Sequence, residues 1–106
     1  MQVLFDQGTP VPLRSLLIPH QVETAFERGW STLNNGALLT VAEKEGFEVL
    51  VTTDRNLRNQ QNLSRLRIAI VGLSSTSWPR IQKVAPTIKQ AIDAALPGSY
   101  NEVEIP

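Results

Sequence analysis

Cysteine is absent from this sequence, which excludes disulfides and thiolate metal sites. Histidine is nearly so: His20 stands alone, and with it go the paired-histidine metal site and any His-rich cluster. A metal ion would therefore rest on oxygen donors, the chemistry that suits hard cations such as magnesium or manganese. Long apolar runs are missing too. None approaches the roughly 20 residues that span a bilayer, and the opening MQVLFDQ has neither the basic flank nor the small-residue cleavage site of a secretory leader. The expectation is a cytoplasmic protein with no membrane partner. Net charge is also lacking, because ten basic and ten acidic residues cancel, removing the broad positive field of a dedicated duplex binder.

What is present is unevenly arranged. Arg55, Arg58, Arg65, Arg67, Arg80, Lys83 and Lys89 follow one another with no acid between them, whereas Glu23, Glu27, Glu43, Glu45 and Glu48 precede them. This is either a basic face or a solvated helix surface. The length of 106 residues suits one domain, spanning 1–106, with a single modest core.

Along the chain, QVLF at 2–5 is too short for a helix and rich in strand formers, and Gly8, Pro10 and Pro12 end the run. Thr9 is placed to cap a helix whose first turn holds Pro10 and Pro12, with Leu13, Leu16 and Leu17 on one face. HQVETAF reads as a short second strand and ERGW as a loop. Asn34 or Asn35 caps a helix carrying Leu38, Leu39 and Ala42, closed by Gly46. EVLVTT is an almost continuous apolar strand, which indicates burial on both faces. Asp54 then caps RNLRNQQNL, RIAIVGL forms another buried strand, and SSTSWP a loop. Residues 80–95 are amphipathic but contain Pro86, where a kink or a delayed start is expected. The tail 96–106 offers a short edge strand, YNEVEI. Strand and helix alternate throughout, the order that yields an α/β fold: a mainly parallel sheet of four strands and a short fifth, with helices on both faces.

Two aspartates occupy matching positions in this plan. Asp6 follows the first strand and Asp54 the EVLVTT strand, and in open parallel sheets ligands gather beyond the carboxyl strand ends. If the two strands are neighbours, the carboxylates meet, and at 4 Å two unit charges repel by about 4 kcal/mol at an effective dielectric near 20. Such a pair raises a pKa or binds a cation. Each aspartate also has a plainer use, Asp54 as a helix cap and Asp6 as a turn former.

The stretches VLFDQGTP, GWSTLNNGALLTVAEKEGFEVLVTTDRN and IAIVGL resemble the small PIN-like proteins of the DUF5615 and Mut7-C type over about the first seventy residues. The resemblance implies a three-layer PIN-like, Rossmann-like fold and magnesium- or manganese-dependent RNA cleavage, in a toxin-like setting with an antitoxin-like protein partner and a homodimer. Asp6 matches the first family acid and Asp54 the acid after the Val-Leu-Val-Thr-Thr strand, so both are implied as catalytic residues and metal ligands. The acid expected at the start of the middle helix falls on Asn35, a neutral third ligand, and Gln7 replaces a glutamate. An amide oxygen ligates a cation without neutralising it, so a non-catalytic PIN-like module binding RNA or a protein stands as the alternative. Glu43 and Glu45 lie two or three turns along the helix from Asn35, toward its other end.

Other residues bear on RNA. Arg55 and Arg58 can reach a phosphate, and Ser74 opens a hydroxyl-rich run at the same rim, where it can equally cap the last helix. Trp30 and Trp78 can stack on a base or cover a helix end. A phospho-receiver reading would require a lysine at the end of a late strand, where this chain has Ser-Ser-Thr-Ser and then Lys83.

Overall fold

A computed structural model describes residues 1–57 and 66–106. Five strands, β1 (Gln2–Phe5), β2 (Gln21–Thr24), β3 (Val49–Thr52), β4 (Ala69–Leu73) and β5 (Tyr100–Val103), form one sheet in the order β2-β1-β3-β4-β5. Every pairing is parallel. The fold is thus α/β with an all-parallel sheet, and the tail contributes its short edge strand beside β4.

Side-chain alternation along the strands divides the core in two. Val3, Phe5, Val49, Val51, Ala69 and Val71 face one layer, made by the short 3-10 helix Val11–Leu16 together with α2 (Trp78–Lys83) and α3 (Ala85–Asp93), which adds Ile81, Ile88 and Ile92. Leu4, Leu50 and Ile70 face the other layer, built around α1 (Asn35–Lys44) through Leu38, Leu39 and Ala42, with Leu57 and Phe47 alongside. β3 and β4 are buried along their whole length, as the unbroken runs VLVT and AIVGL require of strands covered on both faces. Full burial of each such Leu or Val is worth roughly 1.5–3 kcal/mol, and these two strands anchor the sheet.

Local chemistry sets the element ends. Asn34, not Asn35, caps α1, its side chain accepting the Ala37 N–H at 2.9 Å. Gly46, at φ 89°, closes the same helix: its N–H reaches the Glu43 carbonyl and the Phe47 N–H the Ala42 carbonyl, the paired bonds that need a left-handed residue after the helix. The amphipathic stretch 80–95 is two helices rather than one. Pro86 has no N–H for Gln82 and its ring crowds that carbonyl, so α2 stops at Lys83 and α3 begins at Ala85 with Pro86 in its first turn. Trp78 opens α2 instead of lying in a loop.

The helix expected after Thr9 is shorter and tighter than its pattern suggests. It is a 3-10 turn flanked by Pro10, and Thr9 does not cap it; the Thr9 side chain turns to the sheet, where a carboxylate competes for it. The helix expected over RNLRNQQNL falls largely on residues 58–65, outside the described residues. No helix among the described residues is long and apolar enough to cross a membrane.

A candidate acidic site at the carboxyl rim

Because all strands run the same way, Asp6, Asp54 and Ser74 leave the sheet at one rim. β1 and β3 are adjacent, with Leu4 opposite Leu50 and Phe5 opposite Val51. The chain leaving β1 turns to the 3-10 layer and the chain leaving β3 turns, through Leu57, to the α1 layer. Connections that part in this way open a crevice above the strand pair, and the two aspartates stand on either side of it.

They line one cavity of about 120 Å³, walled by Gln7, Gly8, Ala25, Trp30, Asn35 and Leu38 among others. Thr52, fully buried at the end of β3, joins them: its hydroxyl donates to Asp6 Oδ2 and accepts the Asp54 N–H at 3.0 Å. Thr9 donates to Asp6 Oδ1 at 2.7 Å and lies within 3.0 Å of the Val51 carbonyl, the alternative acceptor for its one proton. Asp54 Oδ1 accepts the Asn56 N–H at 2.9 Å, and Oδ2 accepts the Asn35 side-chain amide. Both carboxylates are therefore half-buried acceptors fixed by short donors. Each oxygen takes up two hydrogen bonds at most, so neither carboxylate is saturated by these partners.

Asp6, Asp54 and Asn35, foreseen as separate marks in the sequence, are thus brought together. Thr52 and Thr9 were not foreseen as site residues. The alternation of β1 and β3 carries the signal for Thr52: it shares a face with Leu50 and stands level with Asp6, one step past the Phe5–Val51 pair.

The remaining candidates are placed as follows. Arg55 reaches across the rim to the Ser74 carbonyl at 3.3 Å. The Ser74 hydroxyl oxygen accepts the Ile105 N–H at 2.7 Å, tying the tail to the end of β4. Arg58 lies outside the described residues. Trp30 packs edge-on to Phe47 at 6.1 Å, with the Arg28 guanidinium 5.3 Å from its ring, so it is a wall of the cavity rather than a free stacking surface. Glu43 binds the Arg67 and Ile68 N–H groups where the chain enters β4, and Glu45 pairs with Arg28 at 3.6 Å; both belong to the amino end of the strands. So does His20, which precedes β2 and meets Asp93 at 2.5 Å. The late-strand lysine of a receiver is lacking at this rim: Lys83 lies in α2.

The residues gathered here are two aspartates, two threonines and Asn35, whose amide nitrogen faces Asp54. Carboxylate and hydroxyl oxygens are hard donors, and among the described residues no third carboxylate or histidine joins them. No family model, curated protein or solved structure matches this chain.

Proposed function

We propose that this chain is a PIN-like, divalent-metal-dependent ribonuclease whose working site is the hollow between β1 and β3. The observation that carries the reading is the convergence of Asp6 and Asp54 on one small cavity at a crevice of the parallel sheet. Asp6 and Asp54 would hold the ion, with Asn35 as a neutral third ligand. An ion bound there supplies Lewis-acid stabilisation of charge at a phosphodiester. The chain's own part is to preset the carboxylates: Thr9 and Thr52 orient Asp6, while the Asn56 N–H orients Asp54. Arg55, at the same rim, meets an approaching phosphate, and the Ser74 hydroxyl retains its proton for donation to one.

One observation favours a second reading, a non-catalytic module that binds RNA through this rim. Asn35 turns its amide toward Asp54, so that a donor already meets the charge which a cation would otherwise meet.

The test is thermal melting with and without millimolar manganese, beside cleavage of a labelled RNA. The metal-dependent reading expects manganese to raise the melting temperature, Asp6→Asn or Asp54→Asn to abolish the rise, and cleavage to disappear with it. RNA binding with no manganese response and no cleavage would establish the second reading instead.

A further inference from the structure

A second cavity, of about 350 Å³, adjoins the acidic hollow and shares Asp6 and Gln7 with it. Its distinguishing wall is Phe26, which is 74% exposed, more than any other large apolar side chain among the described residues. A solvent-facing phenyl ring in a floppy turn would signify little. This turn is clamped. In Thr24-Ala25-Phe26-Glu27 the Thr24 hydroxyl accepts the Glu27 N–H at 3.0 Å, and Glu27 Oε1 accepts the Thr24 N–H at 2.9 Å, the reciprocal pair of a capping box. Arg14 then grips the Glu27 carboxylate with two guanidinium nitrogens, at 2.8 and 3.2 Å. Ala25 is fixed to the end of β1 through the Phe5 carbonyl at 2.9 Å, and Gly29 closes the turn on the Phe26 carbonyl at 3.0 Å. Phe26 is therefore held in the open by a hydrogen-bonded frame, in which Arg14 spends both terminal nitrogens on Glu27 while its buried Nε has no partner among the described residues.

Gln7 completes the picture. It is exposed, it borders both cavities, and no side-chain hydrogen bond engages it among the described residues. A primary amide offers a donor and an acceptor side by side, the complement of a base edge. An aromatic face offers sequence-tolerant stacking for a base that is not already stacked. Asp6 borders both cavities as well, and a backbone phosphate would be handled there.

Resting on the ribonuclease reading above, we infer that Phe26 and Gln7 form a nucleobase subsite beside the acidic hollow and that the substrate is single-stranded RNA. One unpaired base stacks on Phe26 and presents its edge to Gln7, which leaves the adjoining phosphate over Asp6 and Asp54. Duplex RNA keeps its bases stacked and gains nothing from this ring.

The test measures binding of fluorescein-labelled single-stranded 12-nucleotide RNAs, one for each base, and of a 12-base-pair RNA duplex. It is run in EDTA and again with millimolar calcium, because a phosphate is repelled by Asp6 and Asp54 when no cation lies between them. Phe26→Ala should weaken single-strand binding roughly five- to 150-fold, Phe26→Trp should restore it, and duplex binding should not change. Gln7→Ala should alter the ranking of the four RNAs. Melting curves of the variants should overlay the wild type, since neither side chain is buried.

Wild-type single-strand binding unaffected by Phe26→Ala overturns the subsite and leaves the acidic-site reading to its manganese test. A loss shared equally by single strand and duplex overturns it as well. So does a Phe26→Ala variant whose only change is lost self-association by light scattering, which would make the ring a protein contact. If the wild type binds no single-stranded RNA in either condition, the subsite falls together with the RNA reading, whatever the melting response to manganese.

Discussion

Thr52 donates its hydroxyl proton to Asp6 while the same oxygen receives the backbone N–H of Asp54. One buried side chain thereby sets the orientation of one carboxylate and the backbone that carries the other. It sits at the last position of β3, where the regular ladder ends and a side chain must take over the bonding of the emerging backbone.

Removal of that hydroxyl has a calculable consequence. Thr52→Val keeps the shape but leaves the Asp54 N–H and one Asp6 oxygen without this partner inside a buried site, a loss of about 1–3 kcal/mol. Thr52→Ser should retain most of the stability. Urea denaturation of the three proteins provides the comparison, and equal stability of Thr52→Val and the wild type would show that the bridge contributes nothing.

Asn35 offers a second, opposite experiment. Asn35→Asp replaces the donor facing Asp54 with another carboxylate, so in EDTA the variant should be less stable than the wild type by roughly 1–3 kcal/mol. Manganese should then raise its melting temperature more than it raises that of the wild type, because the added charge draws the ion. A variant that loses no stability in EDTA would mean that the hydrogen bond from the amide does not stabilise Asp54.

The other end of the sheet predicts a pH effect. A hydrogen bond from His20, opposed by burial and aided by Lys89, holds the Asp93 carboxyl below its ordinary value of 3.8. A carboxyl whose folded pKa is depressed contributes stability that is complete above the unfolded value, here above about pH 4, and is lost as the pH falls through the lower folded value. His20→Ala should remove that contribution. Melting temperatures from pH 6 to pH 2 should accordingly show wild type and variant converging below pH 4, while a constant gap between the curves would count against the linkage.

Much of this molecule could be read along the chain. The apolar runs QVLF, VLVT and AIVGL identify buried strands without reference to anything distant, since only a strand covered on both faces tolerates so few polar residues. Pro86 announces the break between α2 and α3 by a steric conflict within one helical turn. Gly46 likewise marks the end of α1. These are local effects, and local sequence is enough to specify them.

The site is a different matter. Asp6 and Asp54 were each ambiguous between ligand and turn former, because their meaning depends on strand order, and strand order is settled by which apolar faces bury best together. The adjacency of β1 and β3 places Asp6 level with Thr52 and draws Thr9 away from the helix end it was expected to cap: donating to a half-buried carboxylate makes a stronger, charge-assisted bond than accepting a neutral N–H at the start of a 3-10 turn. Phe26 shows the same division. HQVETAF reads as a strand, but the strand ends at Thr24, and that Thr24 and Glu27 then clamp a turn which holds an aromatic ring open beside the acidic hollow follows only from the structure. The sequence alone determined the buried strands and the helix ends set by Gly46 and Pro86, through sterics and burial within a few residues. The tertiary structure decided which carboxylates, hydroxyls and rings share a cavity, because that depends on packing between segments some twenty to fifty residues apart.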